Sequence, residues 1–352
     1  MGKIVKGSPQ ALIDDFSHAA RERCVFIAVL LLLLASLIAA SLFTGPAQIR
    51  LTEAFEALMF GTSDNAIVMQ EIRLPRLIIS LAVGGALGLC GAAAQSLTRN
   101  PLADPAIFGA PQAAALGAVI MLYFNHADAS SPLLLGAAIG GAAACLAVIL
   151  LLARKHFSII AVLLAGVAVG SLCSAGVSMA LSLSPNPFAM AEIVFWLMGS
   201  FADRSVAHIA LSLPPLVMGS AIILLCGKSF RALTLGEDTA ISMGYSPLRT
   251  TVYTAAALSM IIGATTAVSG AIGFVGLMAP HFARPFCNGD PKAILLPSVL
   301  CGAILTTGAD VVVRLIPSTN EIPVGVVTAV LGAPFFLYLV TFRRAMFGSL
   351  RP

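Results

Sequence analysis

Apolar residues run in blocks of about twenty along nearly the whole chain, with polar residues gathered in the short gaps between them. A block of that length reaches roughly 30 Å as a helix, the thickness of a bilayer core. The pattern predicts ten helices, at 25–44, 74–97, 106–124, 131–153, 159–183, 207–227, 249–269, 271–287, 294–316 and 322–342. The eighth departs from the others, since Gly270, Gly273 and Gly276 open it and Pro280 and Pro285 interrupt it. The resulting division is a polar segment at 1–24, one transmembrane domain at 25–342 with a structured inner loop about 236–246, and a polar tail at 343–352.

Composition agrees with this reading. The 352 residues are 59% hydrophobic and 10% charged, where soluble domains carry roughly a quarter charged. The chain is therefore an all-α integral membrane protein. The run from Val25 to Phe43 is longer than the apolar core of a secretory signal and reads as a retained helix. Placing the N-terminus in the cytoplasm puts fifteen of the twenty Lys and Arg residues inside. Arg50, Arg73, Arg76, Arg204 and Arg314 then lie at or near the outer face. That bias follows the positive-inside rule and puts both termini in the cytoplasm.

Three loops are long enough to hold structure. In the outer loop 45–73, the stretch LTEAFEALMF sets Leu51, Phe55, Leu58 and Met59 on one helical side. In the outer loop 184–206, AEIVFWLMGSF reads as a short interfacial helix anchored by Trp196. The inner loop 228–248 contains GEDTAISMG, one short helix between two glycines with acids at its start.

Small residues recur at four-residue spacing in Gly84/Gly88, Gly136/Gly140 and Gly166/Gly170, which lets helix backbones approach closely in lipid. The fifth block adds Ser171, Ser174 and Ser178, so it is expected to line a path for a large solute. Acids and histidines are almost absent inside the blocks, which argues against an ion relay. Asp310 and Arg314 are the main exception, spaced to pair on one helix face. The GKS at 227–229 lacks the earlier glycine of a P-loop, since position 222 is Ile. His281, beside a proline, reads as a helix-end residue, and the seven cysteines form no CxxC motif, disulfide framework or metal cluster.

Three blocks, in order, carry a family resemblance: RLPRL with Q and RNPLADPAIFGA; LGEDTAISMGYS; and GAIGFVGLMAPHFARPFCNGDPKAILLPSVLCGAILTTGADVVVR continuing to EIPVGVVTAVLGAPFFLYL. Together they cover nearly all of the chain after about residue 60. The sequence thereby resembles the FecCD family of type II ABC-importer permeases, which carry iron–siderophore complexes, haem and cobalamin.

The resemblance implies a homodimer of ten-span subunits in a bacterial inner membrane, with one path at the dimer interface. Two ABC ATPase subunits would bind the cytoplasmic face and a periplasmic binding protein the outer one. Arg73, Arg76 and Arg314 match the family's docking arginines, the alternative for the first two being interfacial anchoring of a helix end. Gly236, Glu237, Ala240 and Gly244 match its ATPase-coupling segment, and Asn100, Pro101 and Leu102 its cytoplasmic gate. Gly170, Ser171 and Ser174 would line the pore. No catalytic residue, resident metal or cofactor is implied for this chain; ATP and Mg²⁺ belong to the ATPase, and no nucleic acid is involved. Haem is the favoured cargo, on the stretch FWLMGSF at 195–201, ahead of a ferric siderophore and cobalamin. The alternatives from other classes are an ion-coupled secondary transporter, which needs buried coupling residues, and a membrane enzyme, which needs clustered catalytic groups.

Overall fold

The computed structural model describes residues 9–45, 49, 53–54, 56–57, 65–124, 131–153, 159–184, 187–317 and 321–342. Thirteen α-helices lie among the described residues, and every apolar block of the sequence contains one. They are α1 (Pro9–Phe43), α2 (Leu74–Thr98), α3 (Ala110–Tyr123), α4 (Pro132–Ala153), α5 (Ile159–Ser182), α6 (Pro187–Leu197) and α7 (Val206–Leu225). Next come α8 (Gly227–Leu233), α9 (Glu237–Ser242), α10 (Pro247–Ser269), α11 (Val275–Ala283), α12 (Pro291–Leu315) and α13 (Val324–Phe342). A π-helical turn, Val68–Arg73, leads into α2, and 3-10 turns cover Pro105–Phe108 and Arg284–Cys287. Seven helices are long and apolar enough to cross a bilayer, and α3 and α13 are shorter apolar ones.

The eighth block is broken and is not one continuous helix. Gly270 takes φ +68°, Phe274 is left-handed at φ +66°, and α11 is only nine residues long before a 3-10 turn. Glycine tolerates such a φ at no steric cost, whereas phenylalanine is strained there. Helix α1 starts at Pro9, well before the apolar block, so the first polar segment is largely helical. The residues Leu51, Phe55, Leu58 and Met59, like the tail 343–352, lie outside the described residues.

The core is built on α2. Almost every residue from Leu77 to Leu97 is buried, and α12, α11 and α10 pack around it. Its poverty of bulky groups has a direct geometric cause. A Cβ on Gly91 would stand 1.7 Å from the Gly276 carbonyl oxygen, and one on Gly88 2.1 Å from that of Ser298. A Cβ on Gly84 would stand 2.5 Å from the oxygen of Gly302, and one on Gly302 2.1 Å from that of Gly84. Backbone touches backbone, as small residues permit where lipid supplies no hydrophobic drive. Gly166 likewise packs on Ile107 and Phe108, and Gly170 on Gly109, whereas Gly136 and Gly140 face open space.

Trp196 corrects the interfacial-anchor expectation, because its ring is buried inside the subunit. The GKS tripeptide opens the short helix α8 rather than closing a membrane helix. Cys24 is exposed and the other six cysteines are buried, all as free thiols.

Candidate functional sites at the two ends of the helix bundle

At the end of the bundle that the charge pattern assigns to the outside, Arg76 and Arg314 converge on Asp310, which is fully buried. Arg76 donates to Asp310 Oδ1 from Nε at 2.9 Å and from Nη2 at 2.7 Å. Its Nη1 donates to Glu321 Oε2 at 3.2 Å, and its Nη2 also contacts Glu321 Oε1. Arg314 Nη2 lies 2.9 Å from Asp310 Oδ2, an ion pair one helical turn apart on α12. Arg314 also donates to Ser41 Oγ at 2.6 Å and to the Ser41 carbonyl at 2.8 Å, which ties α1 to the cluster. Arg73 is buried and donates to the Leu42 carbonyl at 2.5 Å.

The three arginines named from the sequence thus gather in one place, but with their charges directed inward. Sequence reasoning found the Asp310–Arg314 pair and missed Arg76 as its third member, 234 residues away from Asp310. Glu321 was missed altogether. A charge inside an apolar span needs a partner, and that rule makes Asp310 the place to look.

At the opposite end, α2 stops at Arg99, whose φ of 53° is left-handed, and the chain turns through Asn100-Pro101. The Asn100 side chain accepts from Leu102 N at 3.0 Å, so Asn100, Pro101 and Leu102 are held as a local turn. Asn100 is exposed, and Pro101 and Leu102 are half-buried. Asp104 then caps the next turn, accepting from Ala106 N at 2.8 Å. Its carboxyl lines a cavity of about 220 Å³ with Thr265, Thr266 and Ser269.

Burial raises the Asp104 pKa above the ordinary carboxylate value, against the opposing effect of the Ala106 N–H. The native state therefore holds the proton to higher pH than the unfolded chain. Stability falls as pH rises from about 4 through the raised pKa. Asp104→Asn keeps the capping oxygen and removes the charge. It is expected to stabilise the purified protein at pH 7.5 and to flatten the pH dependence, as read by thermal unfolding from pH 5 to 8.

The segment that the motif match assigns to coupling is a helix, α9, set between Gly236 at φ +105° and Gly244 at φ +85°. Ala240 is fully buried and its carbonyl accepts from Tyr245 N at 2.9 Å, so it seats the helix on the subunit. Glu237, Leu235, Ile241 and Met243 are exposed. That apolar outward face, absent from the sequence-based set, is the part of α9 free to meet a partner. Arg99 Nη2 stands 3.6 Å from Glu237 Oε1, linking the end of α2 to the start of α9.

Nearby, Arg231 donates to Asp290 Oδ1 at 3.0 Å. Burial works against the Asp290 carboxylate, yet the hydrogen bond from Arg231 holds its pKa below the ordinary value. On α5, Ser171 and Ser174 are exposed on the subunit surface, whereas Gly170 is buried against Gly109 and Gln112.

Residues 31–342 match the FecCD transport family. The chain belongs to that family. Among FecCD relatives, the Bacillus subtilis protein named "Probable siderophore transport system permease protein YfiZ" is 31% identical over 91% of this chain and 96% of its own. The cobalamin import system permease protein BtuC of Halobacterium salinarum is 36% identical over 83% and 79% of the two chains. A solved inward-facing structure, described as of a metal-chelate type ABC transporter, superposes with a TM-score of 0.79 at 30% identity. It covers 90% of this chain and 98% of that one. The fold is the BtuC-like permease fold, and the chain is a multi-pass membrane transport protein.

Proposed function

We propose that this chain is the membrane subunit of an ATP-driven importer that carries a metal chelate or cobalamin from a periplasmic binding protein to the cytoplasm. The observation that carries the reading is the family match over residues 31–342, joined to an exposed coupling helix beside the gate turn. Siderophore and cobalamin permeases both stand among the relatives, and they support the two cargoes equally. Haem has less support: the Trp196 side chain of FWLMGSF is buried within the subunit and offers nothing to a path.

In this reading two copies of the chain form the path in the inner membrane, with Ser171 and Ser174 on its wall and both termini in the cytoplasm. Asn100, Pro101 and Leu102 close its inner end. Two ATPase subunits, which hold ATP and Mg²⁺, grip α9 through Glu237, Ile241 and Met243. The permease itself performs no chemistry. Closure of the ATPases moves α9, and the path switches from outward-open to inward-open.

Arg73, Arg76 and Arg314 receive the binding protein's acids, since a guanidinium fork suits carboxylates. Asp310 is wholly buried and fixed, but Glu321 is about one third exposed and is the carboxylate that a partner displaces from Arg76. Glu321→Gln is therefore expected to tighten binding-protein docking several-fold, and Arg76→Gln to weaken it. Surface-immobilised transporter titrated with the binding protein reads both, and equal affinities for all three proteins would remove docking from this site.

Proteoliposomes holding the transporter complex, offered ferric siderophores, cobalamin and haem in parallel, test the function. Uptake of one cargo that needs both ATP and binding protein is expected, and uptake without an ATPase would favour a secondary carrier. In the same assay, joint Glu237→Ala and Gly244→Ala substitution should leave ATP hydrolysis running while uptake drops by about tenfold or more. Normal uptake in that variant would refute the role given to α9.

A further inference from the structure

A cavity of about 200 Å³ lies where the end of α2, the end of α8 and the α11–α12 turn meet. Gln95, Ser96, Arg99, Thr234 and Arg284 line it, and no carboxylate does. Arg284 Nη2 donates to Gln95 Oε1 at 2.6 Å, and Gln95 in turn donates to the Leu277 carbonyl at 3.3 Å. Gln95 thereby aims the guanidinium without neutralising it. Arg284 Nε is buried and has no hydrogen-bond partner among the described residues.

The neighbouring acids leave this charge uncompensated. Asp290 is engaged by Arg231, and Glu237 reaches Arg99 only loosely, at 3.6 Å between two half-exposed side chains. The Ser96 and Thr234 hydroxyls already donate to backbone carbonyls. The charged side chains lining the cavity, among the described residues, are therefore two cations, Arg99 and Arg284. A desolvated cation with an unused N–H is costly, and two of them around one hollow repel each other. An anion with several oxygens relieves both penalties, because it accepts from two guanidinium forks at once.

We infer that this cavity is a binding site for a small free oxyanion of the phosphate type, held by Arg284 from inside and Arg99 from the rim. The site is separate from the outer arginine cluster and from the exposed face of α9. Its occupant joins three elements that otherwise touch through few polar contacts. It also competes with Glu237 for Arg99, so occupancy loosens the Arg99–Glu237 ion pair between the gate turn and the coupling helix.

The test is thermal unfolding of the delipidated, detergent-purified full chain, titrated with inorganic phosphate against chloride at matched ionic strength. A saturating rise in melting temperature with phosphate is expected for the native protein. Arg99→Gln and Arg284→Gln should each weaken the apparent phosphate affinity by about tenfold or more, the loss of one charge-assisted contact. If Arg284→Gln fails to fold, Arg99→Gln carries the comparison, since its side chain is exposed. Equal shifts in phosphate and chloride, or equal phosphate shifts in native protein and Arg99→Gln, would overturn the site. A parallel titration with phosphatidylglycerol nanodiscs separates the sources. Protection by the lipid but not by phosphate would also overturn a free-anion site, assigning the cavity to a headgroup.

Discussion

Asp310→Ala is expected to yield little or no folded permease. The carboxylate is fully buried and is approached by Arg76 from α2 and Arg314 from its own helix. Removing it leaves two largely buried guanidiniums facing each other, and the Glu321 carboxylate hydrogen-bonds to Arg76. Breaking a buried ion pair from one side costs about 3–5 kcal/mol, a large share of the stability of most domains. The check is the fraction of monodisperse protein after extraction, with the melting temperature of whatever survives. Joint replacement of Arg76 by Met and Asp310 by Leu is the informative companion. It removes Asp310 together with one of the two guanidiniums that would be stranded, so it should recover part of the folded protein, while Arg314 loses its carboxylate and keeps a share of the penalty. Recovery of Asp310→Ala at native levels would show that solvent reaches the cluster and already screens it.

Gly91→Ala is expected to be nearly as damaging, although it adds a single methyl group. The new Cβ would lie 1.7 Å from the Gly276 carbonyl oxygen, and the obstacle is backbone, not a side chain that can swing aside. Ordinary overpacking costs about 1–3 kcal/mol; a methyl forced onto a carbonyl at this distance belongs at or above the upper end. Gly140→Ala is the matched control, because nothing stands within 4 Å of its added Cβ. There the gain in helix propensity over glycine, about 1 kcal/mol, should leave the protein unharmed or more stable. Melting temperatures of the two variants, measured side by side in one detergent, decide the matter. A similar outcome for both would mean that α2 and α11 have room to separate.

The apolar blocks located the membrane helices because their length is a property of the chain that lipid reads directly. They gave no boundary for 271–287, where the left-handed backbone at Phe274 delays the helix to Val275 and no hydropathy pattern reports it. Trp196 was misplaced for a related reason, since an aromatic girdle residue and a buried core aromatic share the same composition. The Asp310–Arg314 pair was legible from its i,i+4 spacing. The bonds from Arg76 were not, because they close a loop of 234 residues that only the packing of α2 on α12 brings together. Ala240 and Gly170, named from motifs, both point inward and serve packing. The outward apolar face of α9, with Leu235, Ile241 and Met243, becomes visible only when exposure is known.

The glycine seam between α2 and α12 also has a mechanical consequence. Gly84, Gly88 and Gly302 hold two antiparallel backbones in contact, so neither helix can slide along the other without driving a carbonyl into its neighbour. The pair acts as one strut. It carries Arg76 and Arg314 at one end and Arg99 and Pro291 at the other. A displacement of the ion cluster therefore arrives at the Asn100–Pro101 turn as a rigid shift, and the bending falls to the joints beyond the strut, at Arg99 and at the Asn288–Gly289 turn.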